Sequence, residues 1–267
     1  QLTALLVREA VIWLTARLLN IKDMEFRDYQ SSIIDRTLDI LKTSNFAYLA
    51  MEVRTGKTLT SLGAIDKMGV EHALFLTKKK AISSIVGDYE KLDNPSFKLT
   101  VINYESMHKI PIEKWGVVVC DESHSLGAFP KPSKRAKAVR DLILRTKAKV
   151  IFLSGTPTPE SYSQMYHQVY GIAGNPFNAF KNFYRFCDKY VNLKERKING
   201  LMIKDYSDGR ISIIEAVKPY TISLTQKEAG FETETKEEVL EVKMLDSTYT
   251  LANKLKKDLV VEGVDEV

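Results

Sequence analysis

Three short runs carry residue types suited to phosphate chemistry. Arg54-Thr55-Gly56-Lys57-Thr58 follows the apolar run Phe46–Met51 and opens a helical pattern. A Gly-Lys-Thr at a strand-to-helix junction is the end of a Walker A loop. Backbone N–H groups there wrap nucleotide phosphates. Gly56 lets the backbone approach closely. Lys57 supplies a point charge to the β- and γ-phosphates, and Thr58 offers its hydroxyl to Mg²⁺. Met51 stands where the general pattern has its first glycine, and Arg54 and Thr55 make the loop less glycine-rich. The second run, Asp121-Glu122-Ser123-His124, follows the apolar Val117–Cys120. Two carboxylates at the end of a buried strand are costly unless they meet a cation. Asp121 is then a Mg²⁺ holder through water, and Glu122 orients and deprotonates an attacking water. His124 is either a surface residue or a link from the nucleotide to a neighbouring segment. The third run, Ser154-Gly155-Thr156-Pro157, follows Ile151–Leu153. It reads as a plain strand exit or as a sensor whose hydroxyls bond to the acidic box and to a bound strand. The order of the three runs, each behind an apolar strand, carries more weight than any one of them.

Parts so placed need a sheet. Phe46–Met51, Ala73–Thr77, Leu99–Asn103, Val117–Cys120 and Val150–Leu153 are short, continuously apolar segments separated by helical or loop stretches. That pattern predicts an α/β domain with a mainly parallel sheet covered by helices on both faces. The three runs then share the crevice at the C-terminal ends of the strands. Ahead of the sheet, Tyr29–Lys42 reads as an amphipathic helix, with Asp23 and Asp28 as plausible helix starts. Residues 2–19 space Leu5, Leu6, Ala10, Trp13, Leu14 and Leu18 at helical intervals. Beyond Pro159, Ser161–Ile172 looks helical. Asn175–Tyr190 is rich in aromatics, and their helical spacing favours core packing over stacking on bases. Ile198–Tyr206 and Ile211–Ile214 look strand-like, with Ser207-Asp208-Gly209 as the turn.

The chain has 267 residues, 44% apolar and 27% charged, an ordinary globular composition that excludes disorder or coiled coil as a whole-chain description. Cys120 and Cys187 cannot form a disulfide scaffold, and their apolar surroundings suit reduced thiols in a cytosolic compartment. Apolar runs are too short for a membrane span, and no secretory signal is visible. Gln1 in place of Met is compatible with a missing upstream piece. The net charge of +5 hides an asymmetry. Lys131–Lys149 holds eight Lys/Arg against Asp141 alone, and 226–267 holds six Lys against eleven acids. The basic stretch is a nucleic-acid surface or a solvated helix face.

Taken together, the runs resemble superfamily 2 helicases and translocases, most closely the Swi/Snf-type branch with its phage and bacterial relatives. Phe26-Arg27-Asp28-Tyr29-Gln30 resembles that branch's adenine-binding motif, which implies Arg27 and Gln30 at the nucleotide, with Gln30 on the adenine edge. Glu52–Thr58 resembles motif I in a form carried by phage members, which implies that Arg54, Thr55, Gly56, Lys57 and Thr58 surround the phosphates. Leu74–Lys78 resembles motif Ia and Val101–Glu105 motif Ib. Asp121–His124 resembles a DExH-type motif II, which places His124 with Lys57, Asp121 and Glu122 in the catalytic set. Ser154–Pro157 resembles motif III. The resemblance implies a RecA-like domain over 23–230, with a helical and hairpin extension at 160–215. It implies a helix at 1–22 packed on that core, and a linker over 231–267, with a strand at Thr235–Met244 and a helix at Thr248–Lys257, towards a second RecA-like domain. It also implies ATP and Mg²⁺ as cofactors and a cytoplasmic, bacterial or phage-infected setting. Nucleic acid, with double-stranded DNA favoured, would be contacted by Thr77, Lys78, Asn103, Tyr104 and Thr156. Nothing after Pro159 resembles the second domain's motifs, so slow ATP turnover is expected of this chain. A stand-alone nucleic-acid- or protein-binding module with a vestigial ATP site is the competing expectation. A P-loop kinase is disfavoured because no lid or acceptor site is evident.

Overall fold

The computed structural model describes residues 25–110, 114–198, 201–231 and 245–258. The expected helix at 2–19 and the strand-like 235–244 lie outside the described residues. The first described helix, α1 (Asp28–Thr43), buries Gln30, Ile33, Ile34, Thr37 and Leu41, one stripe at helical spacing. Its C-terminal carbonyls are closed from outside: the Lys149 ammonium donates to Leu41 O, and to Ser44 O at 2.9 Å. A cation at that end of a helix also opposes the macrodipole.

The sheet then builds through β1 (Phe46–Met51), α2 (Lys57–Met68), β2 (His72–Thr77), α3 (Ile82–Glu90), β3 (Lys98–Asn103), β4 (Val117–Cys120), α4 (Lys134–Thr146) and β5 (Lys149–Ser154). All five expected strands form within a residue or so of their apolar runs. A sixth, β8 (Thr221–Leu224), joins at the edge beside β1. The strand order is β3-β2-β4-β5-β1-β8, and every pair is parallel. Alternate residues feed two cores. Phe46, Tyr48, Leu74, Leu76, Val118, Cys120, Val150 and Phe152 meet α4 and the downstream extension. Ala47, Leu49, Met51, Ala73, Phe75, Val117, Val119, Ile151 and Leu153 meet α1, α2 and α3. Burial on both faces is why these strands read as unbroken apolar runs. This is the RecA-like α/β arrangement.

The extension comprises α5 (Met165–Val169), α6 (Phe183–Tyr190), an antiparallel hairpin of β6 (Lys194–Ile198) and β7 (Leu201–Asp205), and α7 (Ser212–Val217). Most of its aromatics are core, with Tyr162 and Tyr184 exposed. Tyr166 lies 4.8 Å from Phe186 and 5.6 Å from Phe183, and Phe177 lies 5.0 Å from Phe186, all between ring centroids. Two expectations need correction. Ile211–Ile214 is not a strand: Ile213 and Val217 are buried four residues apart, a helical period, and the segment enters α7. The hairpin does not turn at 207–209 either, because β6 pairs with β7 and Asp208 and Gly209 lie at its base. Helix α8 (Asp246–Asp258) matches the helical pattern at 248–257. Cys120 and Cys187 are free and buried, and burial pushes the Cys187 thiol up to about 12. Among the described residues, no helix is long and apolar enough to cross a membrane.

Candidate functional site

Parallel strands in register bring their C-terminal ends to one edge, so the loops after β1, β2, β4, β5 and β8 converge there. The loop after β1 is shaped by its own hydroxyls and by α1. Thr55 is buried, and its Oγ1 donates to Glu52 O at 2.7 Å. Tyr29 Oη donates to Thr55 O at 3.2 Å. Gly56 sits at φ 78°, and a Cβ there would lie 2.4 Å from Gln30 Nε2, so only glycine fits. Gln30 itself is buried, and its Oε1 accepts from Arg27 N at 3.0 Å. The resemblance therefore pointed to two segments that touch: the Arg27–Gln30 turn packs directly on the phosphate loop. Lys57 begins α2, whose first turn carries no acid, and its Nζ donates to Glu52 O at 3.0 Å. Thr58 is half-buried beside it, and Arg54, at φ 63°, is exposed.

The acidic box is held more tightly. Asp121 N donates to Leu76 O at 2.9 Å, extending the ladder one residue past β4. Thr77 Oγ1 donates to Asp121 Oδ2 at 2.7 Å, and Tyr104 Oη to Asp121 O at 2.6 Å. Burial pushes the Asp121 carboxyl up, and the Thr77 hydroxyl pulls it back. Glu122 adopts φ 48°, ψ 45°. In a strand, neighbours point to opposite faces; this left-handed kink re-aims Glu122 into the cleft. His124 Nδ1 lies 3.0 Å from Ser154 Oγ and 3.3 Å from Glu122 Oε2. Ser154 Oγ also accepts from Thr156 N at 3.2 Å. The acidic box and the turn after β5 are thus joined through His124 and Ser154. A second, buried link runs from Ser123 Oγ to Tyr48 Oη at 2.8 Å, from Tyr48 to Gln168 Oε1 at 2.8 Å, and from Gln168 Nε2 to Pro157 O at 2.8 Å. Sequence reading missed this link, since a tyrosine inside an apolar strand gives no polar signal.

Between these loops lies a cleft of about 480 Å³ lined by Glu52, Val53, Lys57, Glu122, Gly155, Thr156 and Gln226. Burial pulls the Lys57 ammonium down, while Glu122 and Asp121 pull it up. Gln226 was also missed. It follows β8 and clasps the phosphate loop twice, with its N on Glu52 Oε2 at 2.7 Å and its Nε2 on Val53 O at 3.0 Å. Five residues on, the Phe231 ring lies under the Arg27 guanidinium at 5.4 Å. The donor set suits a nucleoside triphosphate with Mg²⁺. The phosphates would meet Lys57 and the N-terminus of α2, and Asp121 and Thr58 are hard oxygen donors for a cation that takes its remaining ligands from phosphate and water.

The proposed nucleic-acid contacts divide. Lys78 and Thr156 are exposed at the same edge, and half-buried Asn103 donates to Glu105 Oε2 at 3.0 Å. Thr77 and Tyr104 are corrections: both are buried, and both hydroxyls are spent on Asp121. They brace the acidic box instead of facing a ligand. In the basic stretch, Arg135 pairs with Glu105 at 2.5 Å and covers the Tyr104 ring, Arg140 pairs with Asp141, and Lys149 closes α1. Lys131, Lys134, Lys137, Arg145 and Lys147 remain exposed.

No curated protein matches the chain. Among solved structures, the ATP-dependent Type ISP restriction-modification enzyme LlaBIII bound to DNA aligns at 15% identity and TM-score 0.42, covering 49% of this chain and 13% of that one. A nuclease-deletion mutant of the Type ISP restriction-modification enzyme LlaGI, in complex with a DNA substrate mimic, aligns at 16% and 0.38, covering 50% and 18%. The chain thus spans less than a fifth of either enzyme. A family model described as the SNF2-related domain matches residues 82–258, well over half of the sequence. That span takes in the acidic box and the turn after β5, and the phosphate loop lies ahead of it. The chain belongs to the SNF2-related domain family.

Proposed function

We propose that this chain is the ATP-binding half of an ATP-dependent DNA translocase or helicase. The observation that supports it most is the shared cleft: a lysine at a helix start, a re-aimed glutamate and the Gly155-Thr156 turn line one space. In this reading Gly56, Thr55 and Arg54 shape the phosphate cradle and Lys57 neutralises the phosphates. Arg27 and Gln30 hold the base. Asp121 and Thr58 hold Mg²⁺, whose contribution when bound is to neutralise charge on the phosphates. Glu122 takes a proton from the attacking water. His124 and Ser154 carry the state of that site to Thr156, which with Lys78 and Asn103 contacts the sugar–phosphate backbone of duplex DNA. A second RecA-like domain completes the motor.

Titration with a fluorescent ATP analogue, followed by hydrolysis assays with duplex DNA, single-stranded DNA and RNA, tests this directly. Lys57→Ala removes a charge-assisted contact of about 1.5–3 kcal/mol, so affinity falls roughly ten- to a hundredfold. Unchanged nucleotide affinity in that variant would favour a binding module with a vestigial site. Gln226→Ala removes the bond to Val53 O and leaves the backbone bond to Glu52 in place. Losing a neutral intramolecular hydrogen bond of about 1 kcal/mol predicts a melting temperature lower by about 2–4 °C and, as the loop loosens, a rise of up to roughly fivefold in the Kd for nucleotide. An unaltered Kd would show that Gln226 does not position the loop.

A further inference from the structure

The buried link behind the cleft has a forced direction. Pro157 O can only accept, so Gln168 turns its Nε2 to it, at 2.8 Å, and its Oε1 to Tyr48. Tyr48 Oη then spends its proton on Gln168 Oε1 at 2.8 Å and accepts from Ser123 Oγ at 2.8 Å. Ser123 has one hydroxyl proton and a second acceptor for it, Leu153 O at 3.3 Å. At that residue the chain of bonds has two arrangements. The link is also dry. Tyr48 and Ser123 are fully buried, and Gln168 is 3% exposed. Burial pushes the Tyr48 phenol up, so it remains a donor at neutral pH. Away from water, a member that loses its partner bears its full desolvation cost, so the bonds hold or fail together.

Its route is one the sheet does not provide. β5 separates β4 from β1 in the strand order. The link starts at Ser123, next to Glu122, crosses to Tyr48 in the middle of β1, and returns through Gln168 on α5 to Pro157, next to Thr156. It therefore joins the neighbours of two cleft residues, Glu122 and Thr156, from behind the cleft. Packing alone does not hold the turn at Pro157. Pro157, Thr158, Met165 and Val217 line a cavity of about 640 Å³ under α7. The turn has room to move there, and the bond from Gln168 restrains it.

Resting on the DNA-motor reading above, we propose that Tyr48 and Gln168 are positioning residues, which hold the acidic box and the turn after β5 at one spacing and so let nucleotide in the cleft change how Thr156 meets DNA. Both act through neighbours: Tyr48 through Ser123 on Glu122, and Gln168 through Pro157 on Thr156. When Glu122 moves to engage nucleotide, Ser123 moves with it and its proton turns to Leu153 O. Tyr48 then loses its donor, and its hold on Gln168 and Pro157 changes. Coupling of this kind needs an element with two discrete arrangements that both sites bias, and Ser123 supplies it. Tyr48 belongs to an apolar strand and Gln168 to a short helix, outside the three chemical runs.

The test is a linkage measurement on the whole chain: fluorescence anisotropy of labelled duplex DNA, with and without a non-hydrolysable ATP analogue and Mg²⁺. In the wild type the analogue should change the Kd for DNA by roughly fivefold or more, within the usual range of coupling between two sites. Tyr48→Phe keeps the ring and deletes the hydroxyl. Gln168→Met keeps the length and deletes both bonds. In each variant the analogue should change the Kd for DNA by less than about twofold, while the Kd for the analogue alone stays near the wild-type value. The double variant should be no further uncoupled than either single one, since members of one link are non-additive. A merely structural role would lower the melting temperature and leave the coupling intact. Coupling retained in either single variant overturns the proposal and leaves the motor reading standing. So does a wild type that binds both ligands without coupling. A wild type that fails to bind the analogue or duplex DNA overturns the motor reading, and the proposal with it. Should Tyr48→Phe not fold, Gln168→Met decides by the same criterion.

Discussion

Replacing Glu122 by glutamine should leave nucleotide bound and stop its hydrolysis. Turnover is expected to fall by roughly 10²–10⁴, the range that a positioned general base contributes, while the Kd for nucleotide stays within about fivefold, the margin of a lost neutral hydrogen bond. The reason lies in the backbone. β4 would send residue 122 to the face opposite Asp121, and the left-handed conformation at φ 48° turns it instead to the cleft beside Lys57. A non-glycine residue in that region costs of order 1–3 kcal/mol, so the fold carries strain to aim this one side chain. Glutamine keeps the length and can still meet His124, which lies 3.3 Å from Glu122 Oε2. What it loses is the capacity to take a proton. Single-turnover phosphate release measured alongside analogue binding separates the two effects. Hydrolysis at the wild-type rate would move the base elsewhere in the cleft.

What the sequence disclosed, and what it hid, follows from burial. Central strands buried on both faces have no polar alternation to confuse them, so β1, β2, β4 and β5 stood out as apolar runs; β3, a half-buried edge strand, stood out through Leu99, Val101 and Ile102. β8 did not, because it is a four-residue edge strand in which only Ile222 and Leu224 are buried. Ile211–Ile214 looked β-like because three isoleucines in four residues favour strands; tertiary packing of Ile213 and Val217 prevailed. The three chemical runs were legible because residue type, order and position behind a strand agreed. Their partners were not. Residue type alone does not say whether a hydroxyl at a strand end faces a ligand or a neighbour, and for Thr77 and Tyr104 the neighbour was Asp121. Gln226 gave no signal at all, being one glutamine in a polar turn that reaches Glu52 and Val53 only once β8 has paired with β1.

Asp121→Asn should move stability and chemistry in opposite directions. Burial raises the Asp121 carboxyl above its ordinary value, and neither the Thr77 hydroxyl nor Lys57 fully cancels the shift. The folded protein therefore holds that proton more tightly than the unfolded chain does. As pH rises from the ordinary carboxylate value through the raised one, stability is lost, and the full cost is present above that window. Asparagine carries no such cost, and its amide oxygen can still accept from Thr77 Oγ1. At neutral pH the variant should melt higher than the wild type. The gain should vanish once the pH falls below the ordinary carboxylate range. Mg²⁺-dependent turnover should fall by roughly a hundredfold or more, because a neutral amide is a poor substitute for a carboxylate beside a hard cation. Melting curves across pH, with and without Mg–ATP, read both effects in one experiment: ligand stabilises the wild type by RT ln(1 + [L]/Kd) and should stabilise the variant much less. A variant that melts lower than the wild type at neutral pH would mean that the Asp121 charge is stabilised by the fold. The carboxylate would then be a structural element, and the idea that stability is given up here to keep a cation site would fail.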